Sequence, residues 1–212
     1  NIESNIKPKR VYDIMIYDDK LYISYTAILN DCKKINVSFA KINKNSLDFK
    51  KIFSPDECSD LGSIGRLHFY KHQGDPGILI STAEGIHDKP GINAQNDKSV
   101  YGKIIFLYLK NLNYIIFSKG HRVIQGLYAN KDLILASEHG PRGGDEINKI
   151  IYKKNYGWPI ASYGERYNFN YEKEPYYKKN HSALGFEEPI YAFAHGIGIS
   201  EILILPEETI GH

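Results

Sequence analysis

Residues 137–163, SEHGPRGGDEINKIIYKKNYGWPIASY, gather the residue types with the most chemical potential in the chain. The run holds a Gly140-Pro141 pair, a Gly143-Gly144 pair, the adjacent acids Asp145 and Glu146, and Trp158 within Tyr156-Gly157-Trp158-Pro159. Carboxylates and backbone carbonyls are the oxygen ligands that a hard cation such as Ca²⁺ takes, roughly six to eight at a time. Gly permits an unusual backbone and Pro stiffens it, so neighbouring carbonyls can aim at one ion. An isolated Asp-Glu pair is more simply a turn with solvated acids, so the surrounding pattern must carry any stronger reading. The run follows Leu133-Ile134-Leu135-Ala136, an apolar strand, and loops held by rigid strands commonly carry function.

The elements that must position this run are strands. With 212 residues, 42% of them hydrophobic and 25% charged, the chain has the composition of one substantial globular domain. A net charge of +2 does not call for a nucleic-acid partner. Seventeen Tyr and nine Phe against one Trp and one Met favour an all-β fold. No apolar run approaches the roughly 20 residues of a spanning helix. The first residue is Asn1 rather than Met, which leads us to expect a processed product or a fragment. Cys32 and Cys58 can be read as a disulfide or as two free thiols.

Short strand patterns separated by polar turns fill residues 1–212 as one domain. Val11 to Tyr25 reads as two strands around Asp18-Asp19-Lys20, followed by Lys34 to Ile42 and Leu47 to Phe53. A second unit starts at Gly65 and includes Gly77 to Thr82, Gly102 to Leu109 and Tyr114 to Ser118, interrupted by an irregular insertion from Glu84 to Ser99. A third runs from Val123 through Asp132 to Ala136 and Glu146 to Tyr152, then into a Tyr- and Lys-rich stretch. The units place blades at approximately 10–55, 62–118 and 122–190, with the start of a next blade at 195–205. No helix is expected, because no segment sustains a 3.6-residue period. Four strands per unit of this size argue for a β-propeller over a sandwich.

Gly120-His121-Arg122-Val123-Ile124-Gln125-Gly126-Leu127, then Ser137 to Asn148, then Asn155-Tyr156-Gly157-Trp158-Pro159 resemble the soluble pyrroloquinoline quinone (PQQ)-dependent glucose/sorbosone dehydrogenases, nearest to the bacterial aldose sugar dehydrogenases. In that family the motifs read GHRNPQGL, an EHGP or EQGP run leading to DEIN or DELN, and NYGWP, in this order and spacing. Gly65-Arg66-Leu67, Asn93-Ala94-Gln95 with Tyr101 to Ile105, and Ile197 to Ser200 extend the likeness over most of the chain. The resemblance implies a six-bladed propeller, of which this chain holds about three blades and the first strand of a fourth. The raw edges of such a piece make a missing half-propeller an expected partner.

The resemblance also implies an activity: PQQ-dependent oxidation of aldose sugars to lactones, passing electrons to a soluble acceptor, in the periplasm or outside the cell. It places Arg122 and His139 against the cofactor, and the Gly140-Pro141 carbonyls on the Ca²⁺ that anchors it. Asp145, Glu146 and the Tyr156 carbonyl match a second, structural Ca²⁺ site. PQQ carries three carboxylates and an ortho-quinone, which suit a planar guanidinium. Three positions depart from the family. The general-base histidine is replaced by Gly62, the Asn after the arginine by Val123, and the arginine after the GK run by Phe106. His68 and His72 lie nearby in sequence, but neither is an obvious substitute. Losing a general base costs about 10²- to 10⁴-fold, so reduced or lost activity is expected. The alternatives are a non-catalytic, calcium-binding propeller acting as a binding or structural module, and an inactive gene fragment.

Overall fold

The computed structural model describes residues 3–42, 46–59, 64–84, 92–165 and 177–205. In chain order the strands are β1 (Glu3–Ser4), β2 (Arg10–Tyr17), β3 (Lys20–Leu29), β4 (Cys32–Lys41), β5 (Ser46–Leu47), β6 (Lys50–Phe53), β7 (Leu67–His72), β8 (Asp75–Thr82), β9 (Lys103–Tyr108), β10 (Tyr114–Lys119), β11 (Ile124–Ala129), β12 (Ile134–Glu138), β13 (Asp145–Lys149) and β14 (Tyr191–Phe193). They form three four-stranded antiparallel sheets in sequential order, β2-β3-β4-β6, β7-β8-β9-β10 and β11-β12-β13-β14. Each is a propeller blade. The small pair β1 and β5 runs parallel beside the first.

Local sequence explains the meander. Asp18-Asp19, Asn30-Asp31 and Gln73-Gly74 are two-residue connections with both φ angles positive. That is the geometry whose twist matches antiparallel strands, and Asn, Asp and Gly adopt it most readily. The middle blade is buried on both faces, so its strands alternate between two cores. On β9, Ile105 and Leu107 join the core shared with the first blade, while Ile104 and Phe106 join the core shared with the third. Strand β8 does the same, with Ile78 and Ile80 on one side and Leu79 on the other. A strand covered on both faces reads as a continuous apolar run, which is why KIIFLY shows no polar alternation. Gly77 must lack a side chain, because a Cβ there would collide with the Phe106 ring.

One local expectation is corrected. The insertion from Glu84 to Ser99 contains a one-turn helix, α1 (Ile92–Gln95), and a single 3₁₀ turn forms at Ser182–Leu184. Four residues are too few to show a helical period. Side chains hold α1 instead: Glu84 Oε1 accepts from the Asn93 and Ala94 N–H groups at 2.8 and 3.2 Å. The Lys103 ammonium donates to the carbonyls of Asn93, Ala94 and Tyr101. Residues 195–205, expected to open a next blade, take no strand assignment among the described residues. A strand needs a ladder partner, and this segment instead runs as coil past Gly126, tied by Arg66 to the Ser200 carbonyl at 3.3 Å and the Glu201 carboxylate at 3.1 Å. The first blade leaves Ile14 and Ile16 of β2 61% and 67% exposed, as an open propeller end would.

Cys32 and Cys58 form a disulfide, which selects the first of the two readings. It fastens the start of β4 to the segment carrying Glu57, whose carboxylate accepts from Ser99 Oγ and the Val100 N–H in the second blade. Replacing both cysteines by serine is expected to lower the unfolding free energy by about 3.5 kcal/mol, the loop-entropy value for a closure of this length, as read by urea denaturation. A second expectation concerns Lys103. Burial pushes its ammonium down to about 8 from an ordinary 10.5. Between those values the unfolded chain binds more protons than the folded one, so stability rises with pH. Urea unfolding at about pH 8 and about pH 9.5 is expected to show a gain that Lys103→Met lacks.

Candidate active site

Strand register brings two carboxylates together. Glu138 at the end of β12 pairs directly with Glu146 of β13, and both are at most 9% exposed. Like charges opposite each other on one ladder destabilise a sheet unless something offsets them. Glu138 is compensated by donors: the Arg122 N–H on one oxygen, and His121 Nδ1 at 3.1 Å on the other. His121 is fully buried, bonded through Nε2 to Ser118 Oγ at 2.8 Å and stacked on Tyr156 with ring centroids 4.7 Å apart. Glu146 has less support. It accepts from Asn148 Nδ2 at 3.3 Å and from the Tyr163 backbone, and burial, with Glu138 beside it, pushes its carboxyl up to about 8. Between these acids, Gly140, Tyr156 and Ser162 lies a cavity of about 10 Å³, enough for one small sphere.

A second, open cleft of about 470 Å³ shares Arg122, His139 and Gly140 with that cavity and is also lined by Val123, Pro141 and Asp145 among others. The Arg122 guanidinium donates from NH1 to the His139 and Gly140 carbonyls at 3.1 and 2.9 Å, and lies over the Trp158 ring at 5.3 Å. Among the described residues its Nε, and Nε2 of His139, are buried without a hydrogen-bond partner. Trp158 is fixed through its own N–H to the Gly120 carbonyl at 3.0 Å, and its carbonyl accepts from Gln95 Nε2 at 2.6 Å. The tight packing of Gly120 against Asn155, with φ at +78°, needs glycine.

Asp145 acts as the clamp of the loop. One oxygen accepts the Gly140 N–H at 3.1 Å, and the other accepts the N–H groups of Ile197, Gly198 and Ile199 at 3.0, 2.9 and 3.3 Å. One carboxylate thus joins the Gly140 turn to a segment more than fifty residues later. Among the described residues no three His, Cys, Asp or Glu side chains converge as a metal cluster, so any cation here would depend on carbonyl oxygens as well as acids.

The family model for Glucose / Sorbosone dehydrogenase matches residues 13–212. The chain belongs to the glucose/sorbosone dehydrogenase family. It is 28% identical over 202 residues to aldose sugar dehydrogenase YliI of Escherichia coli strain K12, covering 85% of this chain and 52% of that protein. Quinoprotein glucose dehydrogenase B of Acinetobacter calcoaceticus is 43% identical over 58 residues, 26% of this chain and 12% of that one. A crystal structure of glucose dehydrogenase superposes with a TM-score of 0.75 at 26% identity, over 90% of this chain and 60% of that chain. This glucose/sorbosone dehydrogenase homologue therefore spans about half the length of the aldose sugar dehydrogenase it matches.

The structure brings Arg122, His139, Gly140 and Pro141 to one cleft, and Glu146, Tyr156 and Gly140 to the small cavity beside it. Gly62 lies outside the described residues. Val123 lines the cleft at 5% exposure, while Phe106 is fully buried between blades, away from that cleft. Sequence reasoning passed over Glu138 and His121. A signal was available in the register, since a strand ending in Glu138 and one starting at Asp145 must set the two glutamates side by side. Asp145→Ala is expected to lower the unfolding free energy by about 3 kcal/mol in urea denaturation, less than the sum of the bonds lost, because the 197–199 segment can turn to water.

Proposed function

We propose that this chain carries the cofactor-side part of a PQQ-dependent aldose dehydrogenase, a reading supported by one observation above the others. Two buried, unpartnered nitrogens, Arg122 Nε and His139 Nε2, flank the same open cleft. A ligand rich in carboxylate and quinone oxygens would satisfy both, and the guanidinium adds the charge such a ligand needs. Trp158 under the guanidinium and the two carbonyls in front of it fix the arginine's orientation, so the cleft is preorganised rather than assembled on binding. When bound, PQQ supplies a quinone that accepts hydride from the sugar's anomeric carbon, leaving a lactone; a soluble acceptor then takes the electrons.

The residues fit calcium in two places. Gly140 and Pro141 would hold an ion at the open cleft, and Gly140, Glu146 and Tyr156 one at the small cavity. Glu146 carries the stronger physical argument, because a cation would relieve its burial opposite Glu138. Asp145, proposed from sequence as a ligand of the second ion, has its oxygens already committed to four backbone N–H groups. Its role in this reading is to hold the Gly140 turn in place.

The anomeric hydroxyl's proton needs an acceptor, and the family's histidine is Gly62 here. This favours a second reading, a calcium-binding propeller kept as a binding or structural module with little or no turnover. The Cys32–Cys58 disulfide suits an oxidising compartment, which agrees with a periplasmic or secreted protein. Among the described residues no helix is long and apolar enough to cross a membrane.

Adding PQQ and Ca²⁺ is expected to raise the melting temperature, and aldose oxidation with a dye acceptor is expected to be slow. Gly62→His is expected to raise that rate by about 10²-fold. A thermal shift with no dye reduction in either protein would favour the structural module. No shift with either ligand would remove the cofactor reading.

A further inference from the structure

We propose that a cavity at the opposite strand ends from Arg122 and His139, between the second and third blades, binds a hydroxylated six-membered ring bearing a carboxylate, a sugar acid of the uronic type. His72 ends β7, Lys131 and Asp132 form the turn between β11 and β12, and Lys149 ends β13. All four line this cavity of about 370 Å³, within the usual size range of small-molecule sites.

Its wall is aromatic and includes an imidazole. Tyr70, Phe117 and Tyr152 supply the rings, and amphipathic rings of this kind suit the apolar faces of a sugar. His72 is only 6% exposed, with its ring 4.5 Å from Tyr152 and 5.4 Å from Phe117. Among the described residues its ring nitrogens make no hydrogen bond. Burial keeps the imidazole neutral by lowering its affinity for a proton, which leaves one nitrogen as donor and one as acceptor. A hydroxyl, itself donor and acceptor, fits either nitrogen.

The rim supplies the charge preference. Lys131 and Lys149 are exposed and form no ion pair among the described residues, against the single acid Asp132. Two free ammonium groups over one carboxylate favour an anionic ligand, and a charge-assisted bond to its carboxylate is the strongest contact available there. The combination of aromatic wall, neutral imidazole and basic rim matches a ring with apolar faces, hydroxyl edges and one acid. It does not match a plain aromatic acid, which would leave His72 unpaired, or a neutral sugar, which would leave the lysines unpaired.

Titration of the chain with sodium glucuronate, glucose and benzoate, followed by protein NMR, tests this. Glucuronate is expected to bind in the millimolar range, with glucose and benzoate each about tenfold weaker. Lys131→Glu and Lys149→Glu are each expected to weaken glucuronate about tenfold without changing the melting temperature. His72→Phe keeps the ring packing and is expected to weaken glucuronate while leaving benzoate unchanged. No binding of glucuronate, equal binding of glucose or benzoate, or lysine variants that bind like the parent would overturn the proposal. The thermal response to PQQ and Ca²⁺ is expected to survive Lys149→Glu, so failure at one site is read separately from failure at the other.

Discussion

Glu138 and Glu146 face each other across two strands, both out of water, and the upper end of the third blade is arranged around that conflict. His121 and the Arg122 N–H are drawn to Glu138, and through them the turn between the second and third blades is fixed. His121 in turn stacks on Tyr156, whose hydroxyl bonds the Lys149 carbonyl and the Ile151 N–H. Glu146 is left with the larger share of the penalty. Repulsion that is only half offset marks a place where a positive charge from outside the chain would add stability, which a structural acid surrounded by donors would not require.

The loop above this pair divides its labour among neighbouring residues. Asp145 spends its charge on backbone N–H groups and gives rigidity. Gly140 stands between the two spaces and serves both. Arg122 is held by carbonyls and by an aromatic face, and lines both spaces. Carboxylates adjacent in sequence can thus do different work because strand alternation points them in opposite directions.

The all-β class, the three blades and the family were legible because they rest on periodic strands, Asn, Asp and Gly turns, and three motifs in fixed order. Arg122 and His139 belong to two of those motifs, and the fold brings both to one cleft. What the sequence hid depends on register and on distant partners. The Glu138–Glu146 pairing needs the alignment of β12 with β13. The four N–H groups on Asp145 come partly from residues 197–199, which no local pattern connects to it. The α1 turn is held by Glu84 and Lys103, ten or so residues to either side, so its own four residues carry no helical signature. Conversely the apolar run Ile202 to Leu205 has strand-like composition but forms no ladder among the described residues.

The middle blade shares a core with a neighbouring blade on each face, while each outer described blade shares one with a single neighbour, the far side of the first being covered by the smaller cluster of Ile23, Tyr25, Ala40 and Phe49. In a linear array of blades, local unfolding starts where a unit has a single neighbour and moves inward. Amide hydrogens of β8 and β9 should therefore exchange last, and those of β2 and β14 first. The propeller piece then behaves as a graded stack with its most persistent structure in the middle.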